Sequence, residues 1–270
     1  MSPSRIRLVA WHVFKESVRD RVLYSIVVFA LVLVAASLLI GQMTAGQDVK
    51  IVKDLGLATI EVAGLLISAF IGIGLVAREI DSRSIYGLLA KPLARWEFVV
   101  GKYLGLLLTV LVNVALMTAA FYVMLACMAW LSPENVRQSW EAPAADPALL
   151  TAIALILGEL ALVTAVAVFF STFSSSPLIS LVLTFGLWIA GLESQELRHF
   201  GDMVDSPLNP LVSAIGWILP AFWVFDVKTE IVHGHVVPAA LVSWRLAYAL
   251  IYSIVAVGAG VMIFSRREFR

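Results

Sequence analysis

The sequence predicts an all-α polytopic membrane protein with six transmembrane helices. Three observations carry that prediction. The 270 residues are 61% hydrophobic and only 14% charged, with a mean hydropathy of +0.94, where a soluble domain is nearer half apolar and a quarter charged. Several apolar runs of ~20 residues each are long enough to cross the ~30 Å hydrocarbon core of a bilayer. Those runs are separated by short polar or basic connections, with no stretch that reads as a soluble domain.

The first element is an N-terminal helix over residues 3–20. Ser2 and Pro3 form a helix start, proline being tolerated in the first turn. Ile6, Val9, Ala10, Val13, Phe14 and Val18 fall mostly on one side, and Arg5, His12, Lys15, Glu16 and Arg19 mostly on the other, with Arg7 and Leu8 breaking the pattern. A basic amphipathic helix of this kind lies in the membrane interface; an ordinary soluble helical tail is the plainer alternative. The polar stretch is too long for a signal peptide and lacks a small-residue cleavage site, so no cleavable signal is expected.

Span one is read over residues 22–40, followed by a short polar loop from Gly41 to Leu55. Span two covers 56–77, with Glu61 near its start. Span three covers 98–131, longer than a crossing needs, which implies tilt or protrusion. A proline-containing loop leads to span four, 148–170, with Glu159 near its middle. An uncharged link, Ser171 to Pro177, leads to span five, 178–192. Residues 193–243 form the longest non-spanning region. Its apolar part, Leu211 to Phe225, is short and cut by Pro220, and is read as a re-entrant or interfacial hairpin packed on protein, because irregular backbone cannot face lipid bare. The last span is 244–264.

Basic residues set the orientation. With six spans, one face receives Arg5, Arg7, Lys15, Arg19, Arg21, Arg78, Arg83, Lys91, Arg95, Lys102, Arg266, Arg267 and Arg270. The other receives Lys50, Lys53, Arg137, Arg198, Lys228 and Arg245. The first face is therefore expected to be cytoplasmic, with both termini inside. Trp130, Trp140, Trp188, Trp217, Trp223 and Trp244 gather on the outer side and Trp11 and Trp96 on the inner, as interfacial belts do.

The connection from Glu79 to Lys102 is the only long polar, basic interruption in the first half of the chain. Ser82 can cap a helix. Ile85, Leu88 and Leu89 stand at i, i+3, i+4 and make one apolar edge, and Pro92 stops the helix because the preceding residue avoids the α region. The expected result is a short helix over residues 82–90, lying across the mouth of two spans and offering a greasy edge to a partner protein. Arginine and lysine alone show only topology; the ordered set of acidic exit, capped helix, proline stop and Gly-Lys goes beyond that.

Other signals are narrower. No P-loop, HExxH, GxSxG or zinc spacing occurs, so any ATP is bound by another chain and no metal site is assigned. The single Cys127 rules out an intrachain disulfide. Glu159 deep in a span reads either as a transport-path or proton-coupled residue or as a structural hydrogen-bonder. Asn113 is read as interhelical glue, with the translocation path as its functional alternative. Glu61 is interfacial. Small-residue pairs, Ser68 with Gly72, Gly101 with Gly105 and Ala256 with Gly260, permit close helix approach and are compatible with a dimer contact. His233 and His235 around Gly234 would face one way on an extended segment, which is thin support for metal.

On these residues the chain resembles the permease subunit of ABC type-2 transporters. The matching positions between spans two and three are Glu79, Leu88-Leu89, Pro92, Arg95 and Gly101-Lys102, and the six-span layout, amphipathic N-terminal helix and outer hairpin extend the likeness over nearly the whole chain. Arg83-Ser84 stand where many members have Gly-Thr. The closest flavour is the NosY-like branch, which fixes no substrate. The resemblance implies a permease pair, identical or mixed, with two cytoplasmic ATP-binding subunits that hold ATP and Mg. Glu79, Ser82, Arg83, Ser84, Ile85, Leu88, Leu89, Pro92 and Arg95 would belong to the coupling helix and its flanks, and Ser171 to Pro177 to a smaller second contact. The expected function is ATP-driven movement of a substrate across the cytoplasmic membrane, with export the favoured direction and an accessory extracytoplasmic protein as a further partner. The competing readings are a membrane anchor doing mechanical work without transport, and a proton-coupled carrier using Glu159. No nucleic-acid partner is expected.

Overall fold

The computed structural model describes residues 3–42, 48–81, 94–138, 140–174, 176–203 and 209–266. Among the described residues every regular element is helical. The elements are α1 (Pro3–Ser17), α2 (Arg21–Gln42), α3 (Asp48–Asp81), α4 (Arg95–Leu131), α5 (Glu134–Gln138), α6 (Leu149–Phe173), α7 (Pro177–Leu192), α8 (Ser194–Met203), α9 (Asn209–Ile218), a 3₁₀ turn (Phe222–Phe225), α10 (Lys228–Val232) and α11 (Ala239–Arg266).

At the centre stands α6. It is apolar on every side, so burial around its whole circumference suits it; Leu155, Leu160, Leu162, Ala165 and Ala167 have no exposed surface. Helices α3, α4, α7 and α11 pack around it. Helix α2 lies outside α3 and shows why a spanning helix can be one-sided. Leu23, Val27, Ala30, Val34 and Ser37, spaced by four and three, are buried, while Tyr24, Val28, Phe29, Val32 and Leu33 are exposed. In a soluble protein the second set would be a liability; here it is the surface offered to lipid.

Among the described residues, four helical segments are long and apolar enough to cross a membrane: Val49–Ile71, Arg95–Leu131, Leu149–Phe173 and Ala239–Arg266. Asn209–Ile218 and Phe222–Val232 pass the same test only as a pair, bent by 47°. The apolar stretches Leu23–Ser37 and Pro177–Leu192 are shorter. At ~1.5 Å per residue the 37 residues of α4 reach ~56 Å, well past a bilayer core.

Several boundaries differ from the sequence reading. Helix α3 begins at Asp48, so the loop read over Gly41–Leu55 is shorter than expected. Val49, Val52 and Lys53 are buried there, and burial extends the helix through residues that look polar in the sequence. Helix α11 begins at Ala239, not Trp244.

Glycines mark the closest approaches. A Cβ on Gly56 would stand 2.1 Å from the Phe121 ring of α4, and one on Gly64 2.3 Å from Leu160 Cδ1 of α6. Gly101 and Gly105 receive α1: a Cβ on Gly101 would lie 2.7 Å from Val9 Cβ, and one on Gly105 2.5 Å from the Ala10 carbonyl oxygen. The Gly101–Gly105 pair is thus occupied within the chain and is not left free for a dimer. Gly260 likewise faces Thr172 and Phe169 of α6. The apolar stripe of α1 is spent on α4, while Leu8 and Trp11 point outward.

The hairpin before α11 packs on protein. Ala221, Phe222, Phe225, Val227, Ile231 and Val232 are buried. Pro220 breaks the run and frees backbone groups that lipid could not satisfy. Helix α11 satisfies them: the Tyr248 hydroxyl accepts from the Ala221 N–H at 2.9 Å, and the Tyr252 hydroxyl donates to the Ile218 carbonyl. Gly191 of α7 admits the kink, since a Cβ there would be 2.3 Å from the Pro220 carbonyl oxygen.

Candidate functional site

Two regions gather the polar side chains that the sequence singles out. The first is the joint where the connection after α3 enters α4. Glu97, in the first turn of α4, accepts from the Ala94 N–H at 3.2 Å, which satisfies one of the donors a helix start leaves open. Arg95 turns toward α11. Its Nη1 donates to the carbonyls of Phe264 (3.3 Å) and Ser265 (2.9 Å). The last carbonyls of a helix lack intrahelical donors and carry partial negative charge, so a guanidinium there is doubly favoured. The Phe98 and Phe264 rings stack beside it, centroids 5.9 Å apart and 20° from parallel. Lys102, also buried, holds its ammonium 4.7 Å from the Phe98 ring centroid.

One turn further on, Gly101 and Gly105 seat α1. The start of α4 is therefore fastened on one side to α1 and on another to the end of α11. Glu79 falls in the last turns of α3. Ser82, Arg83, Ser84, Ile85, Leu88, Leu89 and Pro92, with the short helix read over 82–90, lie outside the described residues.

The second region is a polar cluster that runs from the buried Glu159 outward to the exposed Asp226. Glu159, on α6, is 3% exposed and accepts from Trp188 Nε1 of α7 at 2.8 Å. Glu61, on α3, is ion-paired with Lys228, the first residue of α10. Asp226 stands 3.6 Å from the same ammonium. Glu61, Lys228 and Asp226 all lie within electrostatic range of Glu159. The cluster thus joins α3, α6, α7 and the re-entrant hairpin. Polar groups are tolerated here because Glu159 has the Trp188 N–H and Glu61 has the Lys228 ammonium.

Glu61 is consequently not a free interfacial residue: it anchors the hairpin. Trp188 is not simply a belt residue, because its indole N–H is committed to Glu159. Neither pairing could be found from spacing, since the partners are 167 and 29 residues apart. Asn113, read as glue between helices, donates Nδ2 to the Thr109 carbonyl of its own helix at 2.7 Å. It is not brought to Glu159 by any described bond.

Near the start of α3, Lys50 Nζ meets Glu141 Oε1 at 2.7 Å. That hydrogen bond and charge hold the Glu141 carboxyl below the usual carboxylate range. His233 and His235 do not lie on an extended strand. His233 Nδ1 contacts the Thr229 carbonyl at 2.8 Å, and Gly234 takes a positive φ of 76° to turn the chain. Among the described residues no group of three or more His, Cys, Asp or Glu is placed to hold a metal ion.

Residues 7–192 match the family model described as ABC-2 family transporter protein. No curated protein matches the chain.

Proposed function

Because the chain belongs to the ABC-2 family of transporter proteins, and so is a membrane transport subunit, we propose that it is the permease of an ATP-driven exporter. Six spans cross the cytoplasmic membrane: α2, α3, α4, α6, α7 and α11. Both termini are cytoplasmic, and α1 lies along the inner interface. ATP and Mg are held by two separate cytoplasmic subunits. A second permease copy, identical or related, completes the transport unit, and the closest branch is the NosY-like one.

In this reading the segment Ser82–Ala90 is the coupling helix. Its apolar edge, Ile85, Leu88 and Leu89, sits in a cleft of the ATPase, and closure of the ATPases pushes it. Pro92 ends it, and Arg95 opens the rod that carries the push. The observation that supports this is the bracing of α4: Arg95 holds the end of α11, and Gly101 and Gly105 hold α1. A push delivered just before Arg95 is passed to three helices together, as a lever requires. The second, smaller contact is the Ser171–Pro177 link, where α6 gives way to α7.

Glu159 is assigned a structural role. Its Trp188 bond and the adjoining Glu61–Lys228 pair account for it without a proton path.

The test is a charge placed on the edge of the coupling helix. Leu88→Asp is expected to insert and pair normally while ATPase subunits no longer co-purify with it. Unchanged co-purification would sink the coupling assignment.

A further inference from the structure

Helix α11 carries a cation that its fold does not satisfy. Nε and Nη1 of Arg245 are both enclosed and have no hydrogen-bond partner. Of the other cations on this side of the bundle, Lys50 is served by Glu141, Lys228 by Glu61, and Arg198 by the Gly216 carbonyl at 2.9 Å and the Trp217 ring, while the buried Lys53 has the charge of Asp146 in range and Arg137 is exposed to water. A guanidinium only donates and stays charged, so an enclosed, unpaired one is costly. What it lacks is an acceptor, and the strongest acceptor is an oxyanion.

Position says which oxyanion. The other end of α11 is fixed by Arg95 on Phe264 and Ser265. From Phe264 back to Arg245 is ~28 Å of helix, close to the thickness of a bilayer core. Arg245 therefore stands at the opposite hydrocarbon boundary, at the depth of lipid phosphates. Its neighbour Trp244 is 71% exposed and Trp217 68% exposed, as rings at a headgroup boundary are. Tyr248, three residues on and on the same face of the helix, grips the re-entrant segment at Ala221. Two residues further along that segment, Trp223 Nε1 is a second enclosed donor with no acceptor.

We propose that Arg245 seats a phosphate group at the membrane boundary opposite α1, beside the re-entrant hairpin. Nη2 is not among the nitrogens that are both enclosed and without a partner. It shares one edge of the guanidinium with Nε and another with Nη1, so an oxyanion arriving there can use either two-toothed fork. A phospholipid headgroup supplies that phosphate from the leaflet; a soluble phosphate supplies the same chemistry from water. This assignment does not depend on the coupling reading.

The experiment uses the full-length chain in mild detergent. Native mass spectrometry counts retained phospholipid in the wild type and in Arg245→Gln, and the variant is expected to lose it at least about tenfold, as removal of a charged hydrogen bond predicts. The delipidated wild type is then melted with phosphatidylglycerol, with diacylglycerol or with inorganic phosphate. A rise in melting temperature with phosphatidylglycerol, absent with diacylglycerol, supports the site and names the lipid as its source. A rise with inorganic phosphate alone supports the site and names a soluble source. No preference for phosphate over diacylglycerol in the wild type overturns the proposal, even if Arg245→Gln fails to fold. So does equal lipid retention by wild type and variant. Loss of self-association in Arg245→Gln with an unchanged phosphate response also overturns it, because a second copy then supplies the acceptor.

Discussion

Arg95 caps Ser265: the guanidinium that opens α4 closes the C-terminus of α11, 170 residues further along the chain. Helix ends buried without donors are unstable, so this bond holds two distant rods at a common end. Arg95→Ala is expected to lower stability by about 1–2 kcal/mol. Thermal unfolding in detergent would show it, with Arg95→Lys falling between, since an ammonium keeps the charge but loses the fork.

Gly105 sets how near α1 comes to α4. Any Cβ there meets the Ala10 backbone oxygen, which cannot swing aside. Gly105→Val is expected to lift α1 off while leaving the bundle folded. Limited proteolysis near Arg5 and Lys15 would then speed up, and unchanged cleavage would count against the seat.

The Lys228–Glu61 pair has little exposed surface. Glu61→Gln and Lys228→Met are each expected to cost about 1–3 kcal/mol, because each removes the main partner of a part-buried charge, while the double replacement Glu61→Gln with Lys228→Met costs less than their sum. A double-mutant cycle on the unfolding free energy decides this. Near-additive losses would mean that the two side chains do not depend on each other.

Tyr248→Phe removes the acceptor of the Ala221 N–H and leaves that amide buried without a partner. The expected loss is about 1–3 kcal/mol, accompanied by faster hydrogen exchange at the amides around Phe222 and Phe225. Exchange that stays slow would show that another group serves this amide.

Lys50 gives Glu141 a pH signature. The folded carboxyl lies below its unfolded value. Its contribution is therefore present above the unfolded pKa and is lost as pH falls through the folded one. Titrating the Glu141 carboxyl by NMR in wild type and Lys50→Ala is expected to show an upward move in the variant. Both groups meet water, so the effect on stability is small.

What the sequence disclosed tracks what is periodic. The spacing in α2 and the uniform apolarity of α6 announce one-sided and all-round burial. Pro220 announces a break that must be covered by protein. What stayed hidden is what depends on tertiary partners. Glu159 was visible as a buried acid, but nothing local ties it to Trp188 or ties Glu61 to Lys228. Asn113 looked like an interhelical bond because the polar atom was evident and the choice of carbonyl was not. The Gly101–Gly105 pair announced a close contact without saying that α1 fills it. The loop before α3 looked polar because burial of Lys53 cannot be seen one residue at a time.

The two tyrosines around Pro220 have a mechanical corollary. Tyr248 and Tyr252 lie about one turn apart on α11, and each engages a fixed backbone atom on either side of the kink. Sliding that helix by a single residue would strand both atoms in an oily setting. The kinked segment and its tyrosine-bearing rod must then travel as one body, and whatever gap opens in a working cycle has to open along some other seam.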